Sequence, residues 1–352
     1  MILPDKKNCQ FLLLGGGKHI CSFTRLLLKN KFLKPIIITY PKKHHERDVR
    51  LLKDIEIYEI IFKISEEYKI TIFDNVVNNQ DILKIKKQYN CNILFSLSWR
   101  SIISCDVIEE FDNQVFNIHP SFLPLERGSG TFSYRILNNS KEVSATIHFV
   151  DKGIDTGDII LQKKSQLNKK NLIPYDYLLN TQKIYVDLFK KFILLIDNKR
   201  KLPQIKQNHL KSTYYPLLNT EVNGAINWNL NILEIEKFIR AFSYPYPGAF
   251  TFKNKTKKIS ILKAKIYSLN KKFHPFLIGR IIRIFDNNAD IILKDGILRI
   301  LQIKVNGKIE NISDVMSLTT RLHTPLKIIE QSMNSVLKAK EMPIPQEGEL
   351  ND

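Results

Sequence analysis

An amide and an imidazole one residue apart are the strongest candidates for chemistry in this sequence. Asn117 and His119 end a short apolar run, and Pro120 then breaks the strand. Because alternate residues of a strand point to the same face, both side chains face one side while Ile118 turns into the core. The amide can donate an N–H to a developing oxyanion, and the imidazole can take a proton near neutral pH. Taken alone, such a pair fits a structural histidine better than a catalytic one.

A second segment further along the chain carries carboxylates on a glycine-containing loop. The predicted strand 144–150 and the apolar pair Ile159-Ile160 flank this loop, which holds Asp151, Asp155 and Asp158. Loops on a rigid scaffold are where catalytic carboxylates are commonly placed. The alternative is a plain connection whose acidic side chains cap its own turns.

The elements around these residues predict an α/β fold. Residues 11–14 form a continuous apolar run, typical of a buried parallel strand, and residues 15–17 follow as a triple-glycine turn. Strand and helix patterns alternate from there through residues 93–96. The sequence therefore predicts a Rossmann-like, doubly wound α/β domain, with the Asn-His pair at the carboxyl end of a strand, where such folds bind ligands. Ile20 stands where a dinucleotide motif needs its third glycine, so NAD is not expected.

The second half of the chain changes character. Residues 198–207 are basic and polar and include Pro203, which indicates a linker. Residues 231–242 carry the apolar stripe of an amphipathic helix. Short β-rich runs fill residues 250–309, typical of a small antiparallel or barrel-like (OB-like) domain, and Pro325 begins a terminal helix. We predict a catalytic domain over 1–200, a linker and helix over 201–245, and a β-rich C-terminal domain with a terminal helix over 246–352.

The composition bounds the class of protein. The chain has 352 residues, of which 43% are hydrophobic and 25% charged, as in ordinary globular proteins with a proper core. No apolar run approaches the length of about 18 residues that a transmembrane helix needs. The N-terminus is polar and basic and lacks an apolar signal region. We therefore predict no membrane association and a cytoplasmic location.

Charge and cysteine content add two further expectations. The formal net charge of +19 suits an anionic substrate or a nucleic acid. The lysines are scattered rather than clustered with arginines and aromatics, which favours a solvated surface. The cysteines lack zinc-ligand spacing, so we predict no metal site and buried thiols at Cys9, Cys21, Cys91 and Cys105.

Taken together, the two polar segments resemble the folate-dependent formyltransferases. This family includes methionyl-tRNA formyltransferase, glycinamide ribonucleotide transformylase and the nucleotide-sugar N-formyltransferases. In that family an Asn-x-His pair is joined by an aspartate on a later loop, and Asp155 follows Asn117 here at the matching spacing of 38 residues. Leu123-Pro124 and Arg127-Gly128 also resemble the family's loop after the histidine. The resemblance extends over about residues 12–163.

The resemblance implies a donor, a mechanism and a set of site residues. The formyl donor would be 10-formyltetrahydrofolate, and no metal would be required. Asn117 would donate to the oxyanion, His119 would take or relay the amine proton, and Asp155 would orient His119. The pterin of the folate would lie against the following residues: Ser96, Leu97, Ser98, Ile118, Leu123, Val150, Asp151, Gly153 and Ile154.

Three neighbouring residues have open or structural assignments. Trp99 and Arg100 follow the strand that carries the predicted pterin site, and either line the site or pack in the core. His148 alternates with Ile147 and Phe149 along its strand, which favours a structural role. A binding-only relative would lack one of the three catalytic side chains, and all three are present.

The acceptor amine is the part of the reaction about which the sequence is least specific. Residues 226–228 and 239–250 resemble the second domain shared by the sugar and tRNA enzymes, which the single-domain purine enzyme lacks. Residues 214–220 resemble the linker of sugar N-formyltransferases, and the basic segment 41–47 lacks the glycines of the corresponding loop in the tRNA enzymes. We therefore predict a nucleotide-linked amino sugar as the acceptor, with methionyl-tRNA as the alternative.

A sugar acceptor has further consequences. Lysine and arginine side chains would bind its diphosphate, and its base would stack on Tyr214 or Tyr215, unless those tyrosines pack between the domains instead. The product would be a formamido sugar for a surface polysaccharide. The β-rich domain also offers a surface for a homodimer.

Overall fold

The computed structural model describes residues 1–40, 58–75, 78–99, 101–254, 256–318 and 320–335. Three features of the sequence analysis lie outside these residues: the basic segment 41–47, Arg100, and the last predicted helix beyond residue 335.

The strands in chain order are β1 (Phe11–Gly15), β2 (Ile36–Ile38), β3 (Ile72–Phe73), β4 (Ile93–Leu97), β5 (Val115–His119), β6 (Arg127–Gly128), β7 (Glu142–Phe149), β8 (Ile159–Gln166), β9 (Tyr214–Tyr215), β10 (Ala249–Lys253), β11 (Lys257–Leu269), β12 (Ile281–Phe285), β13 (Asn288–Leu293), β14 (Gly296–Val305), β15 (Lys308–Glu310) and β16 (Leu322–His323). The helices are α1 (Lys18–Lys29), α2 (Tyr58–Tyr68), α3 (Asn79–Tyr89), α4 (Cys105–Glu110), α5 (Thr131–Leu137), α6 (Pro174–Asp197), α7 (Thr220–Asn223), α8 (Ile232–Ala241), α9 (Ile312–Val315) and α10 (Leu326–Asn334).

The N-terminal half forms a mainly parallel sheet with the strand order β3-β2-β1-β4-β5-β7-β8. The strands from β1 to β5 pair in parallel, as crossover connections through helices require. β7 then runs antiparallel to β5, and β8 antiparallel to β7. The first strand, β1, lies in the middle of this order, as in doubly wound α/β folds.

Helices cover both faces of this sheet, because the strand side chains alternate between two apolar clusters. On one face Phe11, Leu13 and Phe95 pack with side chains of α1 and α6. On the other face Leu12 and Leu94 pack with side chains of α3 and α4. Burial on both sides explains why these strands are continuous apolar runs in the sequence.

β1 ends in a turn that requires glycine. Gly15 has a φ of +133°, and a Cβ at this position would lie 1.9 Å from the carbonyl oxygen of Leu97 at the end of β4. The same oxygen accepts the N–H of Gly16 at 3.2 Å and lies 3.0 Å from Nε2 of His19. Burial lowers the pKa of His19 to about 4, against the opposing effect of this contact, so the neutral ring donates Nε2–H to the carbonyl.

The C-terminal half forms an antiparallel sheet with the strand order β12-β13-β14-β11-β10-β16, and β15 pairs with β14. Helix α8 packs against this sheet through its buried stripe of Ile232, Ile235 and Ile239. The hydroxyl of Ser133 on α5 donates to the carbonyl of Ala241 at 2.8 Å, which joins α8 to the N-terminal half.

The segment between the two halves is tied to the N-terminal sheet. Ile205 exchanges backbone hydrogen bonds with Ile159 of β8, at 2.8 and 3.0 Å. Further along, β9 pairs in parallel with β6. Composition predicted a linker here, and the structure shows an ordered strand-like segment that passes close to the loop between β7 and β8.

The predicted fold class is confirmed, with an α/β domain followed by an antiparallel β-rich domain. The prediction that every cysteine is buried is wrong for Cys105, which is exposed at the first residue of α4. Cys9, Cys21 and Cys91 are buried as expected.

Among the described helices, none combines the length and the apolar character that crossing a membrane demands.

Replacing Gly15 with alanine should lower the free energy of unfolding by about 3 kcal/mol, because the new methyl group must displace the backbone of β4. Gly307→Ala is the matched control. Gly307 also has a positive φ, +81°, but nothing lies within 4 Å of the point that its new methyl group would occupy, so only a conformational cost of about 1 kcal/mol applies. Urea unfolding measures the loss of unfolding free energy in both variants. Equal losses in the two variants would contradict the steric account.

Candidate active site

The Asn-His pair lies at the carboxyl end of β5, as the sequence predicted. The strand register places Asn117 opposite Ser96 of β4 and His148 of β7, and places His119 opposite Thr146. Opposed residues of neighbouring strands share a face of the sheet. Ser96, Asn117 and His148 therefore form a row across three adjacent strands.

His119 is held between two oxygen acceptors. Its Nε2 lies 2.7 Å from the carbonyl oxygen of Glu126, and its Nδ1 lies 3.3 Å from Oδ2 of Asp155. Carbonyl and carboxylate oxygens only accept hydrogen bonds, so a ring with a proton on each nitrogen satisfies both contacts. The surroundings of His119 are thus suited to the charge that the ring gains on taking a proton.

A buried ion pair fixes the carbonyl that accepts from His119. Glu126 has a φ of +56°, and its Oε2 accepts from Nε of Arg135 at 2.8 Å. Arg135 is fully buried and also donates to the carbonyl of Pro120 and to the hydroxyl of Ser144, each at 2.9 Å. Because a buried charge is costly without partners, this network holds the loop after β5 in one conformation.

Asp155 brings the second polar segment into the same site. Its Oδ2 accepts the N–H of Gly128 at 2.9 Å, and its Oδ1 lies 3.4 Å from Nδ2 of Asn117 and 3.5 Å from Nε2 of His148. Burial disfavours the charged carboxyl, but His119 and the Gly128 amide outweigh it and hold the pKa of Asp155 well below its usual range. The side chain is therefore an anion at neutral pH.

The sequence favoured a structural role for His148, but its side chain contacts two of the predicted catalytic residues. Its Nδ1 lies 2.7 Å from the carbonyl oxygen of Phe149, so Nδ1 carries a hydrogen. In the neutral ring Nε2 then accepts from Nδ2 of Asn117 at 3.1 Å, which turns the amide nitrogen toward Asp155. The alternation along β7 indicates only that His148 lies on the opposite face from Ile147, and the strand register is what places it beside Asn117.

The loop between β7 and β8 is held in shape by its own side chains. Oδ1 of Asp151 accepts from the N–H of Gly153 at 3.1 Å and from the hydroxyl of Thr156 at 2.5 Å. A Cβ on Gly153 would lie 2.1 Å from that hydroxyl, and one on Gly157 would lie 2.0 Å from a carbonyl oxygen of β7. Asp155 itself has a φ of +53°, in the left-handed region. The loop therefore tolerates few substitutions.

The predicted folate-binding residues divide by exposure. Those with surface available to a ligand are Ser98, Val150, Asp151, Gly153 and Ile154. The buried ones are Ser96, Leu97, Ile118 and Leu123. The buried group builds the strand ends and the loop that carry the predicted catalytic side chains, so side-chain contact with a folate is open only to the first group. Folate binding by both groups stays a prediction.

The aromatic candidates near the site differ in their surroundings. Trp99 stacks on Tyr40 with ring centroids 4.5 Å apart, and Tyr215 stacks on Tyr134 at 4.3 Å. Tyr214 is 41% exposed. Tyr214 pairs with Arg127 of β6, and its ring lies against Gly128, whose N–H binds the carboxylate of Asp155. Tyr214 thus presents aromatic surface beside the site, whereas Tyr215 has a packing role.

The arrangement is suited to acyl transfer. An amide donor, an imidazole and an ionised carboxylate converge at the end of one strand, and each is oriented by a second contact. Over the described ranges, no group of three or more histidine, cysteine and acidic side chains could hold a metal ion.

Comparison with known proteins adds independent evidence. The family model described as formyl transferase matches residues 8–172, and the model of the formyl transferase C-terminal domain matches residues 220–318. The chain belongs to the formyl transferase family. The first match contains Asn117, His119 and Asp155, and the second covers most of the β-rich sheet. The family predicted from the sequence is confirmed, and the chain is therefore a formyltransferase.

Relatives of this formyltransferase act on different acceptors, according to their names. A methionyl-tRNA formyltransferase of Rickettsia prowazekii is 30% identical over 274 residues, which cover 77% of this chain and 84% of the relative. Among solved structures, the sugar 3N-formyltransferase WlaRD, crystallised with dTDP and 5-N-formyl-THF, is 25% identical with a TM-score of 0.59. That match covers 85% of this chain and 98% of WlaRD. A methionyl-tRNA formyltransferase of Clostridium thermocellum shares the fold at 18% identity, with a TM-score of 0.50, over 82% of this chain and all (100%) of that one.

Replacing His148 with phenylalanine should lower kcat for formyl transfer by about tenfold or more, because the amide of Asn117 loses the acceptor that orients it. His148→Gln keeps an acceptor oxygen on a side chain of similar length and should retain more activity. Steady-state kinetics of both variants, with thermal unfolding to check folding, measures this. Wild-type kcat in a folded His148→Phe variant would rule out an orienting role.

The depressed pKa of Asp155 predicts how stability depends on pH. A carboxyl whose folded pKa is lowered contributes stability above its unfolded pKa of about 3.9, and that stability is lost as the pH falls toward the folded pKa. The difference in unfolding free energy between the wild type and Asp155→Asn should therefore be no smaller at pH 5 than at pH 7, and smaller at pH 3. Urea unfolding at the three pH values tests this. A difference that stays constant from pH 7 to pH 3 would show an ordinary pKa, and one that grows as the pH falls would show a raised pKa.

Proposed function

We propose that this formyltransferase transfers the formyl group of 10-formyltetrahydrofolate to the amine of a nucleotide-linked amino sugar. The convergence of Asn117 and His119 on the carboxylate of Asp155, at 3.4 and 3.3 Å, is the observation that carries the formyl-transfer reaction. The acceptor rests on separate and weaker support.

The folate donor is supported by the solved relative and fits the residues of this chain. WlaRD was crystallised with 5-N-formyl-THF. Here Ser98, with a φ of +67°, follows β4, and the exposed or partly exposed residues Asp151, Gly153 and Ile154 lie on the loop that carries the catalytic aspartate. A folate whose pterin ring lies against this loop and the end of β4 would bring its N10-formyl group to Asn117.

The reaction forms a bond between the acceptor nitrogen and the formyl carbon, and breaks the bond between that carbon and N10 of the folate. Negative charge develops on the formyl oxygen as the amine adds. Nδ2 of Asn117 would donate to this oxygen, since its 3.4 Å contact with Asp155 is long and easily exchanged, while His148 keeps the amide in place. A preorganised donor of this kind contributes about 3 kcal/mol to transition-state stabilisation.

The proton of the attacking amine would pass to Nδ1 of His119, because Nε2 of the neutral ring already donates to the carbonyl of Glu126, and from there to the departing N10. The Nδ1 side of the ring faces Asp155 at 3.3 Å, and the carboxylate stabilises the imidazolium that forms. Asp155 remains ionised throughout because its pKa lies well below the usual range. The carboxylate thus orients and supports the base rather than exchanging the proton itself.

A sugar-nucleotide acceptor is supported by the match to WlaRD, which covers almost the whole of that enzyme (98%) at a TM-score of 0.59. The exposed ring of Tyr214 beside the site offers a surface on which a base or sugar could stack. A formamido sugar for a surface polysaccharide would be the product.

Initiator methionyl-tRNA is the second candidate acceptor. The curated relatives, such as the Rickettsia prowazekii enzyme at 30% identity, are named methionyl-tRNA formyltransferases. The net charge of +19 also suits a nucleic-acid substrate. The four cysteines are free thiols, which fits the predicted cytoplasmic location under either candidate. Homodimer formation through the β-rich domain also stays a prediction.

The test is a formyl-transfer assay with 10-formyltetrahydrofolate and two acceptor sets: dTDP-, UDP- and GDP-linked amino sugars, and methionylated initiator tRNA. We expect turnover on a sugar nucleotide, and a decrease in kcat of about 100- to 1000-fold in Asn117→Ala because an oxyanion donor is lost. Turnover on tRNA alone would establish the second candidate. A folded wild-type protein that formylates neither set would contradict the proposed reaction.

A further inference from the structure

We propose that Gln207, in the segment between the two domains, is a positioning residue that holds Asp155 in its active conformation. Gln207 lies outside both segments that match the family models, residues 8–172 and 220–318. It is 6% exposed, although its neighbours Lys206 and Asn208 are exposed. The inference rests on the proposed function for its kinetic test, and on geometry alone for its structural test.

The hydrogen bonds of Gln207 determine which way its amide points. Nε2 donates to the carbonyl oxygens of Asp155 and Gly157, at 2.9 and 2.7 Å. Oε1 accepts from Arg127 at 2.7 Å. Carbonyls only accept and a guanidinium only donates, so the reversed amide would lose all three bonds. The Gln207 side chain therefore holds the loop between β7 and β8 through directed hydrogen bonds, and does not merely fill space.

Asp155 needs these hydrogen bonds because of its backbone conformation. Its φ of +53° lies in the left-handed region, which costs a residue with a side chain roughly 1 kcal/mol and persists only where the surroundings impose it. Gln207 binds the carbonyl of this residue and of the residue two positions later, so it spans the turn. Released from Gln207, the backbone can return to a more favourable φ, and the carboxylate would then move away from His119.

Arg127 links the two groups that hold Asp155, the N–H of Gly128 and the side chain of Gln207. It stands next to Gly128, whose N–H binds the carboxylate of Asp155, and its guanidinium binds Gln207. The guanidinium also lies 3.1 Å from Nδ1 of His209, further along the same segment. Gly128 of β6 thus holds the carboxylate of Asp155, and Gln207 holds its backbone carbonyl.

Anchoring of the interdomain segment does not depend on Gln207. Two backbone hydrogen bonds between Ile205 and Ile159 already fix the segment to β8, and β9 pairs with β6 beyond it. Loss of the Gln207 side chain should therefore leave the segment in place and act on the catalytic loop.

Gln207→Met and Gln207→Glu are the informative variants. Methionine has a similar length but no polar hydrogen, and glutamate keeps an acceptor for Arg127 while losing both N–H donors. Gln204→Met and Gln204→Glu are matched controls, since Gln204 is exposed on the same segment. We expect both Gln207 variants to lose about 10- to 100-fold in kcat with KM values changed less than about threefold, because a displacement near 1 Å of a catalytic group can cost that much. The Gln204 variants should match the wild type.

The structural readout is hydrogen exchange of amides in the loop 150–160, measured on the same proteins without substrates. Faster exchange there in both Gln207 variants, with the Gln204 variants unchanged, is the expected result. Unchanged loop exchange together with wild-type kcat in folded Gln207 variants would overturn the inference. If the wild type formylates no acceptor, the proposed function fails, and the exchange data alone decide whether Gln207 stabilises the loop.

Discussion

The buried carboxylate of Asp155 is the interaction on which the rest of the site depends. A carboxylate taken out of water is costly unless donors and cations surround it, and here the Gly128 N–H, His119 and Asn117 do so. Those same contacts orient the groups that the reaction requires. Satisfying the charge and assembling the active site are therefore one physical requirement, which explains why each partner is itself fixed by a further hydrogen bond.

The fold meets this requirement by bringing distant segments to one edge of the sheet. β5 supplies the amide and the imidazole at its carboxyl end, β7 returns antiparallel beside it, and the loop after β7 carries the carboxylate back over β5. The short pairing of β6 with β9 adds the segment that joins the two domains. Glycines permit the close approaches, as at Gly15 against β4 and Gly157 against β7. Because the sheet is mainly parallel but ends in antiparallel strands, several segments reach Asp155 from different directions. A single strand end could not supply all of these contacts.

Much of this could be predicted from the sequence, and the rest could not for physical reasons. Apolar runs and helical stripes gave the α/β and β-rich halves, and strand alternation with the family motif gave Asn117, His119 and Asp155. The contacts of His148 depend on which strand β7 pairs with and in what register, which a local pattern does not specify. Gln207 lies in a segment whose composition indicates only a linker, and its burial arises from long-range packing. The acceptor depends on surfaces that the formyl-transfer motif does not include.

The most direct test of Asn117 as the oxyanion donor is a crystal structure of the protein with a stable folate analogue that carries its formyl group at position 10, the position from which the reaction takes it. We expect the formyl oxygen at about 3 Å from Nδ2 of Asn117, with the contacts of Asp155 to His119 and Gly128 retained. Folate bound on another surface, or in the cleft with its formyl group directed away from Asn117 and His119, would contradict the assignment of these residues to formyl transfer.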